Sequence, residues 1–186
     1  TGCRSAGTIV SNDLSSQTVN VGGLIGEVAG LNVVVSDCYS GMDINIESIN
    51  GANNVGGLLG NHRMEWTQQK LDLIDDRVDS NITISNFATH VGGVVGQSRQ
   101  SLSAVNTYAT GSIRALGGGN SIGGFGGLHG GVGSLQDCYA TGNITVESNE
   151  SSSGIGGLYG YFYGHGGVVN RVFATGKVSA SDGNHV

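Results

Sequence analysis

The chain has 186 residues, of which 35 are glycine and none is proline; charged residues make up only 12% and the net charge is -6. Collagen is excluded because it needs proline together with glycine at every third position. An acidic chain with eight Lys and Arg residues lacks the basic surface of a nucleic-acid-binding protein. No apolar run approaches the ~18 residues of a membrane span, so we expect neither a nucleic-acid partner nor membrane insertion.

A glycine-rich hexapeptide recurs five times along the chain. Its first copy reads VGGLIG, and the copies begin at Val21, Val55, Val91, Ile122 and Ile155. The intervals between them are 34, 36, 31 and 33 residues. A fixed period in this range is typical of stacked repeat proteins.

A second phrase interleaves with the hexapeptide at the same period. Its clearest copy reads CYATGNITVE, and the six copies begin at Cys3, Cys38, Asp76, Thr107, Cys138 and Val172. The third copy is the most degenerate. Two interleaved phrases with one period are not expected by chance, so the sequence predicts a repeat architecture.

The later part of each second phrase alternates between apolar and polar residues. In the fifth copy, Ile144 and Val146 alternate with polar neighbours. This period of two predicts a strand with one face buried and the other in solvent. The same parity places small residues such as Ala140 on the inner side, whereas aromatic residues such as Tyr139 project outward or cover a corner.

We therefore predict an all-β fold, a single-domain β-solenoid (β-helix) over residues 1–186 with about six coils and a repeat of 31–38 residues. Each coil is expected to hold two or three short strands that pair with their copies in the neighbouring coils, ~4.8 Å apart. The paired glycines are expected at tight corners or where neighbouring coils nest. A β-propeller is the competing architecture, but its blades are longer, at ~40–50 residues.

An irregular insertion at about residues 61–80 interrupts the repeat and contains the only tryptophan of the chain. An exposed tryptophan flanked by polar groups is suited to stacking on a sugar ring. The candidate ligand contacts are Trp66, His62, Arg63, Glu65 and Gln68. The alternative is a loop whose tryptophan folds back over the side of the stack.

The insertion also contains four aspartates, Asp72, Asp75, Asp76 and Asp79. Calcium takes six to eight oxygen ligands, but the spacing of these aspartates does not match the Asp-x-Asp-x-Asp-Gly loop, and no Gly-Gly-x-Gly-x-Asp array is present. We expect a solvated acidic corner here. No histidine pair has the spacing of a zinc site, so we predict neither a metal nor a cofactor.

Catalysis by paired carboxylates needs two acidic side chains ~5–9.5 Å apart in a groove. Asp37 and Asp75 are expected to be neighbours in adjacent coils, and they are the pair that meets this distance. The other copies at that repeat position include Gly2, Asn106 and Arg171, and Asp137 lies three coils from Asp37, so the pair has no further acidic or aromatic neighbour there. We therefore predict that the chain is not an enzyme.

The cysteines test the register of the repeat. Cys3 and Cys38 share one repeat position in adjacent coils, and ~4.8 Å is within the Cα range of a disulfide. We expect one bridge between them, or none. Cys138 lies three coils further on and is expected to be buried as a small hydrophobic residue.

The two phrases, in particular Gly-Gly-Leu-Ile-Gly from Gly22 and Tyr-Ala-Thr-Gly-Asn-Ile from Tyr139, resemble the bacterial GLUG repeat family. The resemblance covers nearly the whole chain and departs from the family pattern at residues 76–80. Family members are repeat regions of large secreted or surface-attached proteins, including adhesins and the non-catalytic part of some immunoglobulin-A-cleaving metallopeptidases. The resemblance implies a surface location and a scaffold or adhesive role, and it supplies no catalytic residues.

We therefore expect a non-catalytic structural or adhesive repeat module, extracellular or on the cell surface, that displays a polar face to a glycan or protein ligand. The first alternative is a subunit that assembles with copies of itself into an extracellular filament by end-to-end stacking, because a solenoid ends in exposed strand edges. The second alternative is an accessory region of a larger secreted peptidase or glycanase.

Overall fold

The structure, a computed structural model, describes residues 1–12, 15–63, 69–147, 152–164 and 166–181. Within these ranges every regular element is a β-strand and there is no helix. Because the apolar residues recur with period two inside short segments, each segment buries one face as a strand and not one stripe as a helix.

The strands follow one another in coils. The first coil comprises β1 (Arg4–Ser11), β2 (Thr18–Gly22), β3 (Ile25–Val28) and β4 (Asn32–Ser36). The second comprises β5 (Tyr39–Ile46), β6 (Ala52–Gly56), β7 (Leu59–His62) and β8 (Lys70–Ile74). The third comprises β9 (Arg77–Val78), β10 (Ile82–Ile84), β11 (Ala88–Gly92), β12 (Val95–Ser98) and β13 (Ser101–Val105).

The remaining coils repeat the five-strand pattern of the third. The fourth comprises β14 (Tyr108–Ala109), β15 (Ile113–Ala115), β16 (Gly119–Gly123), β17 (Gly126–His129) and β18 (Gly133–Gln136). The fifth comprises β19 (Tyr139–Ala140), β20 (Ile144–Val146), β21 (Ser153–Gly156), β22 (Tyr159–Phe162) and β23 (Val169–Asn170). A sixth begins with β24 (Phe173–Ala174) and β25 (Val178–Ala180).

Equivalent strands of successive coils pair in parallel and form four sheets. Sheet A has ten strands and contains β1, β5 and the two short opening strands of each later coil; sheets B, C and D have five strands each and begin with β2, β3 and β4. Ile44 pairs with Ile9 on one side and with Ile82 on the other, as the repeat alignment predicts. The predicted β-solenoid is confirmed, but each coil has four or five strands instead of two or three.

The core consists of two separate columns of apolar side chains. The first column lies between sheets A and B and includes Ile44, Ile82, Ile113, Ile144, Val55 and Val91. The second lies between sheets C and D and the start of sheet A, and it includes Leu59, Leu71, Leu73, Val95, Phe125 and Cys138. The predicted alternation is confirmed, since the apolar positions of sheet A are buried in the inner coils.

The glycines of the hexapeptide separate the two columns. In the fourth coil, a Cβ on Gly123 would meet the Gly126 carbonyl oxygen, and one on Gly127 would lie 2.5 Å from backbone carbon of His90. A Cβ on Gly124 would lie 2.9 Å from the Cβ of Ala140. We call these contacts, which join sheets B and C and place the connection between them against sheet A, the glycine waist. It combines both roles expected of the glycines, a tight corner and a close approach of backbones.

Two ladders of non-glycine residues have a left-handed backbone conformation. One lies in sheet B just before the hexapeptide, and its members are Asn20, Asn54, His90 and Ser121, with φ of 53–58°. The other lies at the corner before sheet A, at Asp37, Asp75, Asn106, Asp137 and Arg171. Asn and Asp are the side chains that tolerate this conformation best, which explains their recurrence at these places.

The glycine waist predicts the effect of one added methyl group. Gly124→Ala places a Cβ against Ala140 and the Gly157 carbonyl oxygen, so we expect it to lower the free energy of unfolding by about 2–3 kcal/mol. Urea denaturation followed by far-UV circular dichroism measures this. Gly30→Ala is the control, because only the Val33 side chain lies within 4 Å of the added atom. Equal loss in both variants would contradict a special role for the waist.

Candidate functional site

The predicted ligand site lies only partly within the described residues. Trp66, Glu65 and Gln68 are outside them, so their contribution stays a prediction. Arg63 is exposed and forms an ion pair with Glu27 of the preceding coil, with 3.3 Å between Nη1 and Oε1. The basic member of the predicted set is therefore held at the outer edge of sheet C.

His62 belongs to a buried column on the inner side of sheet C. It pairs in register with Ser98, which pairs with His129, and His62 Nδ1 lies 3.1 Å from the Ser98 hydroxyl oxygen. These side chains are at most 1% exposed. Burial lowers the pKa of His62 to about 4 and also lowers that of His129. The prediction that His62 contacts a ligand at the surface is therefore wrong, since an inward position of a strand carries it into the core.

The four aspartates of the insertion do not converge on one point. Three of them are at least partly exposed and have separate partners, Asp72 with Lys70, Asp79 with Arg77 and Asp75 with Asn106. Within the described ranges, no group of three or more His, Cys, Asp or Glu side chains could hold a metal ion. The expected solvated corner is found for these three and is wrong for the fourth, Asp76.

Asp76 is a fully buried carboxyl group. It occupies the ladder position of Cys38 and Thr107, where the degenerate third phrase departs from its pattern. Its Oδ1 accepts a hydrogen bond from the Cys38 N–H at 2.9 Å and its Oδ2 one from the Ile74 N–H at 3.2 Å. Burial raises the pKa of Asp76 to about 6, while these two hydrogen bonds oppose the rise.

A groove of about 410 Å³ lies at the corner between sheets D and A. It is lined by Arg4, Asp37, Cys38, Tyr39, Asp75 and Arg77. Asp37 and Asp75, the predicted neighbours, both lie in it. Two arginines and two aspartates line the groove, so their formal charges cancel and the lining does not favour a charged ligand of either sign.

Outward aromatic residues stack along sheet A, as their parity predicts. The rings of Tyr108 and Tyr139 have centroids 4.5 Å apart, and Tyr139 stacks on Phe173 at 5.0 Å. The Arg77 guanidinium lies over the Tyr39 ring, 5.7 Å from its centroid. Both faces of the Tyr139 ring are covered by neighbouring rings, whereas Phe173 at the end of the ladder is 51% exposed. The aromatic ladder therefore stabilises the stack.

A polar cleft of about 270 Å³ lies at the edge between sheets B and C in the second and third coils. We call it the amide cleft; it is lined by Asn53, Asn54, Asn61, Arg63, Gln97 and Arg99. Asn61 and Gln97 are paired positions of β7 and β12. Asn54 is the left-handed residue of β6. Neighbouring coils thus bring side chains from distant parts of the sequence into one concave surface.

Neighbouring side chains hold each amide of the cleft. The partners are Asn20 for Asn54, Glu27 for Asn61 and His90 for Gln97, at 2.8, 3.2 and 3.0 Å. Burial, with a smaller contribution from the Arg99 charge, lowers the pKa of His90 to about 4. His90 is therefore neutral at physiological pH and adds no charge to the cleft.

The amide cleft is not among the predicted sites, although the repeat contains a signal for it. The residue directly after the last glycine of the hexapeptide is polar in the first three coils, at Glu27, Asn61 and Gln97, and then changes to Leu128 and Tyr161. When one repeat position is polar in some coils and apolar in others, the surface of the polar coils differs from that of the rest of the solenoid. The change could be read from the aligned repeats.

The register predicted for the cysteines is the observed one. The Tyr39 N–H donates to the Cys3 carbonyl oxygen at 2.8 Å, which places Cys3 beside Cys38. All three thiols are free, and the expectation of one bridge or none between Cys3 and Cys38 stays a prediction. Cys138 is fully buried, as expected, and burial raises the pKa of its thiol.

Comparisons with protein-family models, with curated proteins and with solved structures found no match for this chain. Membership of the GLUG repeat family therefore stays a prediction from the two phrases. The described part of the chain contains no helix long and apolar enough to cross a membrane.

Asp76 predicts a pH dependence of stability. Its pKa is about 6 in the folded chain and near 3.8 when unfolded, so the folded state binds the extra proton between these values. The contribution of Asp76 to the free energy of unfolding therefore rises as the pH falls from about 6 to 3.8. Asp76→Asn keeps an oxygen acceptor for Cys38 and removes the charge.

We expect the stability gained by Asp76→Asn, relative to the wild type, to be larger at pH 7.5 than at pH 4.5 by about 2 kcal/mol. Urea denaturation at the two pH values measures it. Asp79→Asn is a control at a partly exposed position. The same difference at both pH values for Asp76→Asn would contradict the buried carboxyl group.

Proposed function

We propose that this chain is a non-catalytic structural and adhesive module, extracellular or on the cell surface, that displays a polar face to a glycan or protein ligand. The single observation that carries the proposal is the order of the outward polar side chains. They form ladders between coils, on a scaffold whose interior is filled by two apolar columns. Such a scaffold holds many weak ligand contacts in fixed positions, which lowers the entropy lost on binding.

The outward face of sheet A illustrates this order. The Asn81 Nδ2 donates to the Asp43 carboxylate at 3.0 Å, and its Oδ1 accepts from the Ser112 N–H at 3.0 Å. Two coils further on, Asn143 Oδ1 accepts from the Lys177 N–H at 2.9 Å. These bonds fix exposed side chains that would otherwise be mobile, so the polar face is presented in one arrangement.

The proposal is tested by screening the purified chain against immobilised glycans and extracellular-matrix proteins. We expect saturable binding to at least one ligand, and loss of at least tenfold in affinity for Trp66→Ala if the insertion makes the contact. Leu31→Ala, at an exposed apolar residue of the first coil, is the control and should bind normally. Absence of binding to every ligand, with a folded chain shown by circular dichroism, would contradict the adhesive role.

End-to-end assembly is the second candidate, and the outermost coils favour it. Val169 follows Leu135 in the inward ladder of sheet D but is 55% exposed, and Phe162 follows His129 in sheet C but is 40% exposed. At the opposite end, β1 to β4 each pair with a strand on one side only. A second copy stacked in register would place Val35 over Val169 and cover both edges.

Electron microscopy across a concentration series tests this candidate. Filaments are expected if the ends stack, and Val169→Lys should abolish them by placing a charge in the junction. Val132→Lys is the matched control, because Val132 is 50% exposed on the side of the fourth coil. Discrete particles for the wild type at all concentrations would contradict assembly and leave the display role as the proposal.

A further inference from the structure

The amide cleft combines buried polar side chains with an open shape. Asn54, Asn61 and Gln97 are only 8%, 7% and 5% exposed, yet they line a cleft of about 270 Å³. Polar side chains this deeply buried cost free energy unless their hydrogen bonds are made. Most of theirs are made by Asn20, Glu27 and His90, so the amides are held in fixed orientations.

One atom of the cleft residues has its hydrogen-bonding capacity unused. The Oδ1 of Asn61 is buried and has no hydrogen-bond partner, while its Nδ2 donates to Glu27. A buried acceptor without a donor is uncommon in proteins and calls for an explanation, of which strain, a functional role and a bound water or ion are the usual ones. A hydroxyl group is the simplest donor for it, because the Nε2 of Gln97, at the paired position of the next coil, is engaged with His90.

The charge of the cleft is the second observation. The cations Lys70, Arg77, Arg114 and Arg171 each form an ion pair with a nearby carboxylate. Arg4 and Lys177, which lie outside the cleft, form none with the described carboxylates. Arg63 in the cleft forms an ion pair with Glu27. Arg99 is exposed, and no carboxylate among the described residues forms an ion pair with it. The cleft therefore carries one unbalanced guanidinium on a chain whose net charge is -6.

We propose that the amide cleft binds an acidic oligosaccharide of the uronate class, with a sugar carboxylate on Arg99 and sugar hydroxyls on the amides of Asn61 and Gln97. The guanidinium fork matches a carboxylate in geometry as well as charge. Amides donate and accept, as hydroxyls do, and the coil spacing sets the two amides about 4.8 Å apart. An acidic peptide would satisfy Arg99 but has no hydroxyl array for the amides.

This inference rests on the proposed adhesive function and assigns it a ligand class and a site. The repeat itself supplies the variants. Leu128 occupies the ladder position of Asn61 and Gln97 in the fourth coil, so Gln97→Leu introduces a residue that the fold already accepts there. Arg99→Gln removes the charge and keeps a donor. Arg114→Gln is the matched control, since Arg114 is exposed and lies on sheet A.

Isothermal titration calorimetry with a tetramer of galacturonate tests the inference, alongside the neutral galactose tetramer, a sulfated galactose tetramer and tetraglutamate. We expect the galacturonate tetramer to bind at least tenfold more tightly than the other three. Arg99→Gln and Gln97→Leu should each weaken this binding at least tenfold, and Arg114→Gln should leave it within twofold. Circular dichroism of each variant verifies that it is folded.

Failure of the inference and failure of the proposed function give different results. Equal binding of galacturonate by the wild type and Arg99→Gln, or tighter binding of the neutral, sulfated or peptide probe, overturns the uronate site while adhesion stands. No binding of the galacturonate tetramer, together with a positive result in the wider ligand screen, also overturns only the site. No ligand in either experiment overturns the adhesive function and the site together.

Discussion

Close contact between the backbones of sheets B and C, possible only without side chains, sets the cross-section of every coil. Gly127 packs on backbone of the third coil, and Gly124 faces the small side chain of Ala140. The contact divides the apolar interior into two narrow columns, each filled by one ladder of side chains per sheet. Both repeated phrases follow from this geometry, since one supplies the glycines and the other the small residue opposite them.

The repeat alignment was sufficient to predict the solenoid, the register of sheet A and the buried face of its strands. It did not predict four sheets, because strands such as β7 and β12 are almost entirely buried and lose the alternation that identifies a strand. Asp76 is buried. Its ladder position in the repeat is internal and determines its burial, although a carboxyl group alone would favour solvent.

The candidate binding surface was less predictable than the fold. The sequence directed attention to Trp66 and its neighbours because they are adjacent in the chain, whereas the amide cleft is assembled across coils from Asn54, Asn61 and Gln97. Stacking places residues that are about one period apart in the sequence next to each other in adjacent coils. Residues that form one surface are therefore distant in the sequence. An alignment of the five repeats shows the polar position after the hexapeptide in the first three coils.

The connection between sheets B and C is two residues long in all five coils, whereas the connection between sheets C and D ranges from two residues, 99–100, to seven, 63–69. The length of the chain segment is thus constant at the corner between sheets B and C and variable at the corner between sheets C and D. Segments can be exchanged at the variable corner without disturbing either apolar column. Such a scaffold can accept insertions in the connection between sheets C and D while the contact between sheets B and C stays the same.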